Sequence, residues 1–179
     1  MSLLKRFSVR DLIIIASIAA LGIAVKPIVN PITKLISTPL GIPGGSLSGG
    51  LYMMWLVLAV TIINKRWTGT VYGILQAVLV LLIGLAGRQG AFSLVSYSLP
   101  GLAADLLFIA VRNKGKLFTH ISLCALANVT GSLSTAIIFF HLPGELICFN
   151  FALALASGIV GGYLSFGVFQ ALHKARIIK

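Results

Sequence analysis

The chain has 179 residues, of which 58% are hydrophobic and 9% charged, and its mean hydropathy is +1.05. A soluble domain carries about 25% charged residues, so this composition excludes an ordinary water-soluble protein and points to the bilayer as solvent. The net charge of +11 does not indicate nucleic acid as a partner, because the cations fall in short groups between apolar runs rather than in one basic patch.

A helix needs about 20 mostly apolar residues to cross the hydrocarbon. Breaking the sequence at Pro, Gly and charge clusters predicts six spans, at about residues 11–29, 47–64, 67–86, 90–111, 117–140 and 146–172. Apolar segments recur along the whole sequence, unlike the single short segment of a secretory signal, and none alternates apolar with polar as a transmembrane barrel strand must. The expected fold is an all-α membrane protein, one domain over residues 1–179 built as a bundle of six transmembrane helices.

The first span, DLIIIASIAALGIAV, sets Ala16, Ala20 and Ala24 at i, i+4 spacing with Ala19 beside them. Small residues let helices approach closely in lipid, and the stripe suits either packing inside the bundle or docking of a separate membrane subunit. The connection that follows, NPITKLISTPLGIPGG at residues 30–45, is rich in Pro and Gly. Pro fixes φ and Gly permits turns, so an ordered but irregular segment is predicted. Its apolar content (Ile32, Leu35, Ile36, Leu40, Ile42) favours a lid over the bundle mouth.

Tyr52 and Trp55 begin the second span, and Gly69 with Gly73 begins the third. The stretch GRQGAFSLVSYSLPGLAAD at residues 87–105 then collects Arg88, Gln89, Phe92, Tyr97 and Asp105 in one hydrophobic region. The fifth span ends at His141, and the sixth carries Asn150, Gly158 and Gly162. The glycine pairs read as internal packing points. Cys124 and Cys148 lie in apolar segments without metal-ligand spacing and read as small buried hydrophobes.

Orientation follows from Lys and Arg, which are enriched in cytoplasmic loops. With the N-terminus inside, eleven of the fourteen fall on the cytoplasmic side, leaving Lys26, Lys34 and Arg88 outside. Both termini are then cytoplasmic. Arg88, Gln89, Phe92, Tyr97, His141, Asn150, Tyr52 and Trp55 gather at the outer helix ends as a set of neutral donors, acceptors and aromatic faces with few formal charges. Tyr52 and Trp55 equally suit an interfacial belt and Arg88 a headgroup anchor, while the amides of Gln89 and Asn150 must face protein, water or ligand. Asp105 lies seven residues before Arg112, about 10 Å from the inner boundary at the helical rise. That depth places it below the outer site, with a structural partner such as Arg10 or a neighbouring hydroxyl.

The size, the six spans, the basic N-terminus leading into an AxxxA first helix, the Pro/Gly-rich outer loop ending IPGG and the basic C-terminal tail resemble the S components of energy-coupling factor transporters. The resemblance implies the substrate-binding subunit of an ATP-driven vitamin importer, multi-pass in a prokaryotic plasma membrane. It implies that Ala16, Ala20 and Ala24 dock onto a transmembrane coupling subunit carrying two ATPase subunits, and that residues 30–45 gate the pocket. The sequence has no G-x-x-x-x-G-K-[ST] phosphate loop, so hydrolysis is expected from the partners, with no enzyme activity and no cofactor in this chain.

The segments at 44–59 and 87–108 resemble S components for thiamine or its hydroxymethylpyrimidine precursor, some of which carry cobalamin instead. Cobalamin is the leading expectation, because a neutral pocket with one Arg suits a large molecule edged with amides and bearing one phosphodiester. Hydroxymethylpyrimidine or thiamine is the alternative. A proton-coupled secondary transporter would need ionisable groups near mid-membrane and paired broken helices. An intramembrane enzyme would need a nucleophile and base converging at one depth. Asp105, and three His near helix ends, point to neither.

Overall fold

The computed structural model describes residues 7–85, 87–111 and 115–176, of which 87–89 by backbone alone. These residues form α1 (Val9–Ala24), α2 (Lys26–Ser37), α3 (Gly44–Ile63), α4 (Thr68–Leu82), α5 (Ser93–Ala110), α6 (Leu117–Ser134) and α7 (Gly144–Lys174). A 3-10 turn, Gly87–Phe92, leads into α5, and a π-helical turn, Thr135–Phe139, extends α6.

The surface is turned inside out relative to a soluble protein. Ile13, Leu35, Leu82, Phe118 and Val160 are among many large apolar side chains that face outward, the arrangement hydrocarbon favours. Helix α3, the stretch Gly90–Ala110, the stretch Leu117–Phe139 and α7 are each long and apolar enough to cross a bilayer. Helices α1 and α2 make a fifth span if taken together, bent by 43°. With 15 residues, α4 is about 22 Å long, short of the ~30 Å hydrocarbon core. Of the six predicted spans, four are long and apolar enough to cross, a fifth is the bent α1–α2 pair, and the sixth corresponds to the short apolar helix α4.

The predicted irregular segment 30–45 is also corrected, since the chain is helical to Ser37 and only residues 38–43 are irregular. Pro27 sits in the first turn of α2, where a helix has no use for its missing N–H. Pro31 removes one interior bond, and the pattern of the helix offsets that loss: Lys26, Thr33 and Ser37 are buried while Ile28, Ile32, Leu35 and Ile36 face outward. A helix with its polar face inward and its apolar face outward is stable against lipid. The same segment in irregular conformation would expose backbone groups that lipid cannot satisfy.

Helix α3 touches all six other helices. Its glycine-rich first turns allow this: a Cβ on Gly161 of α7 would collide with the backbone of Gly50. Glycines also set the other close approaches, Gly158 and Gly162 of α7 against Ala125 and Ile121 of α6, and Gly69 of α4 against Gly101 of α5. The core beneath them joins Ile15, Leu56, Val60, Tyr72, Phe108 and Leu123. Cys124 is buried there as expected, whereas Cys148 lies on the exposed face of α7.

Two carboxylates secure helix starts. Ser8 and Asp11 form a capping box at α1, each accepting the other's backbone N–H, and Asp11 pairs with Lys65 at 2.6 Å, the loop residue after α3. Helix α4 follows Trp67, which has a left-handed backbone (φ 71°) and supplies no side-chain cap. Asp105 of α5 caps it instead, through Gly69 and Thr70. The expected pairing of Asp105 with a neighbouring hydroxyl is met by Thr70 Oγ1, and its other partners are backbone N–H groups.

Candidate binding site

Helices α2, α3, α5 and α6 enclose a cavity of about 320 Å³ at the end of the bundle where α1 gives way to α2. The bend creates it. Pro27 cannot extend α1, the chain turns, and Lys26 is carried inward to 4% exposure. The Lys26 ammonium donates to Tyr97 Oη at 2.7 Å and lies 4.0 Å from the centre of the Tyr97 ring and 5.6 Å from that of Tyr52. Two tyrosines thus flank one lysine, within the range of cation–π attraction.

The polar wall continues around the cavity. Tyr52 Oη donates to Asn30 Oδ1 at 2.8 Å, fixing the amide of α2 against α3. Thr33 and Lys34 follow one turn further along α2, with Lys34 at the exposed rim. From α5 come Ser96 and Tyr97, and from α6 Asn128, Ser132 and Thr135. Asn128 donates to the Ala154 carbonyl of α7 at 2.7 Å, and Gly49 of α3 packs directly on its amide. Phe139 and Phe140, brought in by the π turn, close the apolar side with their rings 5.1 Å apart. Among the described residues, the lining carries two ammonium groups and no carboxylate, imidazole or thiol.

Of the residues predicted from sequence, Tyr52 and Tyr97 line this cavity. Phe92 stands one ring behind it, stacked on Phe139 at 5.7 Å. Asn150 is fully buried behind the wall, where its amide exchanges hydrogen bonds with Ser132 Oγ at 2.9 and 3.2 Å. Trp55 faces α1 at Gly22 instead of the cavity. His141 is exposed in the turn before α7, with φ 50°, and takes no part in the lining. The side chains of Arg88 and Gln89 lie outside the described residues. Ala16, Ala20 and Ala24 are all exposed on the outer face of α1, whereas Ala19 is buried.

Lys26, Asn30, Thr33 and Asn128 are among the wall residues that the sequence pattern did not mark. The signal was present in α2: Lys26, Asn30, Thr33 or Lys34, and Ser37 recur at helical spacing between isoleucines and leucines. That is the period of an amphipathic helix.

Fold and cavity together define a multi-pass all-α membrane protein with a partly polar cavity at one end. Residues 10–133 match the family of ABC-type cobalt transport system permease components, and the chain belongs to that family. It is a membrane component of an ABC-type transport system, a class that works with further transporter components. No curated protein and no solved structure matches it.

Proposed function

We propose that this chain is the substrate-specific subunit, an S component, of an energy-coupling factor importer. It binds a vitamin-sized solute in the α2–α3–α5–α6 cavity and delivers it by docking onto a coupling subunit that carries two ATPases. The observation that carries this reading is the pairing of two features: a cavity with one polar wall at one end of the bundle, and an exposed stripe of Ala16, Ala20 and Ala24 on the outer face of α1. Intramolecular packing among the described residues does not account for the stripe, because all three alanines are exposed. A smooth small-residue face suits a partner helix.

Cavity size and charge favour one of the two substrate readings over the other. Sites for drug-sized ligands run to about 300–1,000 Å³, and 320 Å³ is at the lower bound. A corrinoid is several times the mass of such a ligand, so the size of the cavity favours the pyrimidine precursor over the leading expectation of cobalamin. Thiamine itself is disfavoured by its fixed positive charge, which would face Lys26 and Lys34 with no acid beside them. A divalent cobalt ion is disfavoured on the same chemistry, since its ordinary ligands are imidazole, carboxylate and thiolate. The test is equilibrium binding to the purified subunit of hydroxymethylpyrimidine, thiamine, cobalamin and Co²⁺. Hydroxymethylpyrimidine is expected to bind alone or most tightly; cobalamin binding most tightly would restore the larger substrate.

A further inference from the structure

We infer that the cavity selects a substrate bearing an anionic group, a phosphate or a carboxylate, seated at Lys26 with Lys34 at the rim; this rests on the substrate-subunit reading above. The sequence holds three acidic side chains. Asp11 is engaged by Ser8 and Lys65, and Asp105 by Gly69 and Thr70. Glu145 is exposed at the start of α7 and does not line the cavity. No acidic side chain of this protein is left to balance Lys26.

Lys26 is nevertheless buried, at 4% exposure. An ammonium group has three donors, and the hydrogen bond to Tyr97 Oη engages one. A charge removed from water is costly unless it is paired, and the Tyr52 and Tyr97 rings offer only the weaker cation–π attraction. A phosphate or carboxylate placed beside Nζ would supply charge-assisted hydrogen bonds, the strong kind. Lys34 adds a second positive charge, and Asn30, Thr33 and Asn128 offer neutral partners for the rest of the molecule. A cavity of 320 Å³ has room for one ring and one such group. The same arrangement repels cationic solutes, so it selects by charge sign as well as by size.

The test uses the protein in phosphatidylcholine nanodiscs and two probes differing in one group, hydroxymethylpyrimidine and its phosphomonoester. The phosphomonoester is expected to bind about tenfold or more tightly than the alcohol, the usual margin of a hydrogen bond to a charged group. Lys26→Gln should abolish that preference, Lys26→Arg should keep most of it, and thermal melting checks that each variant is folded. If Lys26→Gln does not fold, the wild type decides: raised salt should weaken the phosphomonoester and leave the alcohol unchanged. Equal binding of both probes, or a preference that survives in folded Lys26→Gln, overturns the inference while leaving the pyrimidine reading standing. If neither probe binds, the pyrimidine reading fails, and the solute retained on purification, identified by mass spectrometry, decides the charge question. An anionic solute lost in Lys26→Gln supports the inference; a neutral or cationic one, or none, overturns it. Competition by phosphatidylglycerol for the phosphomonoester would assign Lys26 to a lipid headgroup and likewise overturn it.

Discussion

Asp105 Oδ2, on α5, accepts hydrogen bonds from the Thr70 backbone N–H at 2.6 Å and from Thr70 Oγ1 at 2.7 Å, while Oδ1 accepts from the Gly69 N–H at 2.9 Å. One carboxylate therefore satisfies two of the orphan donors at the start of α4 and also complements the positive end of that helix dipole. The approach is possible because Gly69 and Gly101 let the two backbones come together beside it. An acid that is costly in hydrocarbon is thereby used as a clamp between adjacent helices.

Replacing Asp105 by Asn should lower stability by about 1–3 kcal/mol, because one carbonyl oxygen cannot serve three donors and the new NH₂ would point at N–H groups. Substrate affinity should change little, since Asp105 does not line the cavity. Thermal unfolding and ligand binding on the same detergent-solubilised sample separate the two effects. A variant that melts like the wild type would show that Asp105 does not clamp α4 to α5.

The need of Asp105 for a partner was legible in the sequence, because an acid within an apolar span has few options. Tyr52 and Tyr97 were legible for a similar reason, as polar tips on apolar bodies near helix ends. Lys26 was not. Treated as a marker of loop orientation, a lysine is assigned to a side of the membrane and its inward turn goes unseen. The bend at Pro27 that buries it is a tertiary outcome, and proline had argued for irregular chain over 30–45 where α2 in fact runs to Ser37. Asn150 was correctly marked as an amide that must be satisfied, but its partner, Ser132, is on another helix. Which polar groups meet across helices depends on register between elements, and no single-span pattern encodes that.

The exposed alanines of α1 lead to a transport-specific prediction. Ala16→Leu together with Ala20→Leu should abolish ATP-dependent uptake in vesicles containing the full transporter, yet leave binding by the isolated subunit within about twofold. Both residues point away from the bundle, so added bulk meets no internal neighbour and holds off only an external helix. Normal uptake by the double variant would exclude this face as the docking surface.

Energy coupling gives a third expectation. Uptake should require ATP and the ATPase partners, and a protonophore at constant ATP should leave it intact. Asp105, the acid deepest in the bundle, is fully buried and holds three hydrogen bonds at the α4 terminus, a poor position for a proton relay. Gradient-driven uptake by this chain alone, measured in proteoliposomes, would establish a secondary transporter in its place.

Gly49 supplies the most local test of the cavity wall. A Cβ built there collides with Oδ1 of Asn128, and Asn128 is held by its bond to the Ala154 carbonyl. Gly49→Ala should therefore displace the amide, lose that bond and lower stability by about 1–3 kcal/mol. It should also weaken substrate binding, because Asn128 lines the cavity. Asn128→Ala alone should cost the hydrogen bond and some affinity, but it removes the group that Gly49→Ala strikes. Combined, the two changes should be less destabilising than the sum of the singles, since the collision disappears with the amide. The comparison needs three variants, one unfolding assay and one binding assay. Additive stabilities would mean that the two side chains do not meet, and the packing of α3 on α6 at this wall would have to be redrawn.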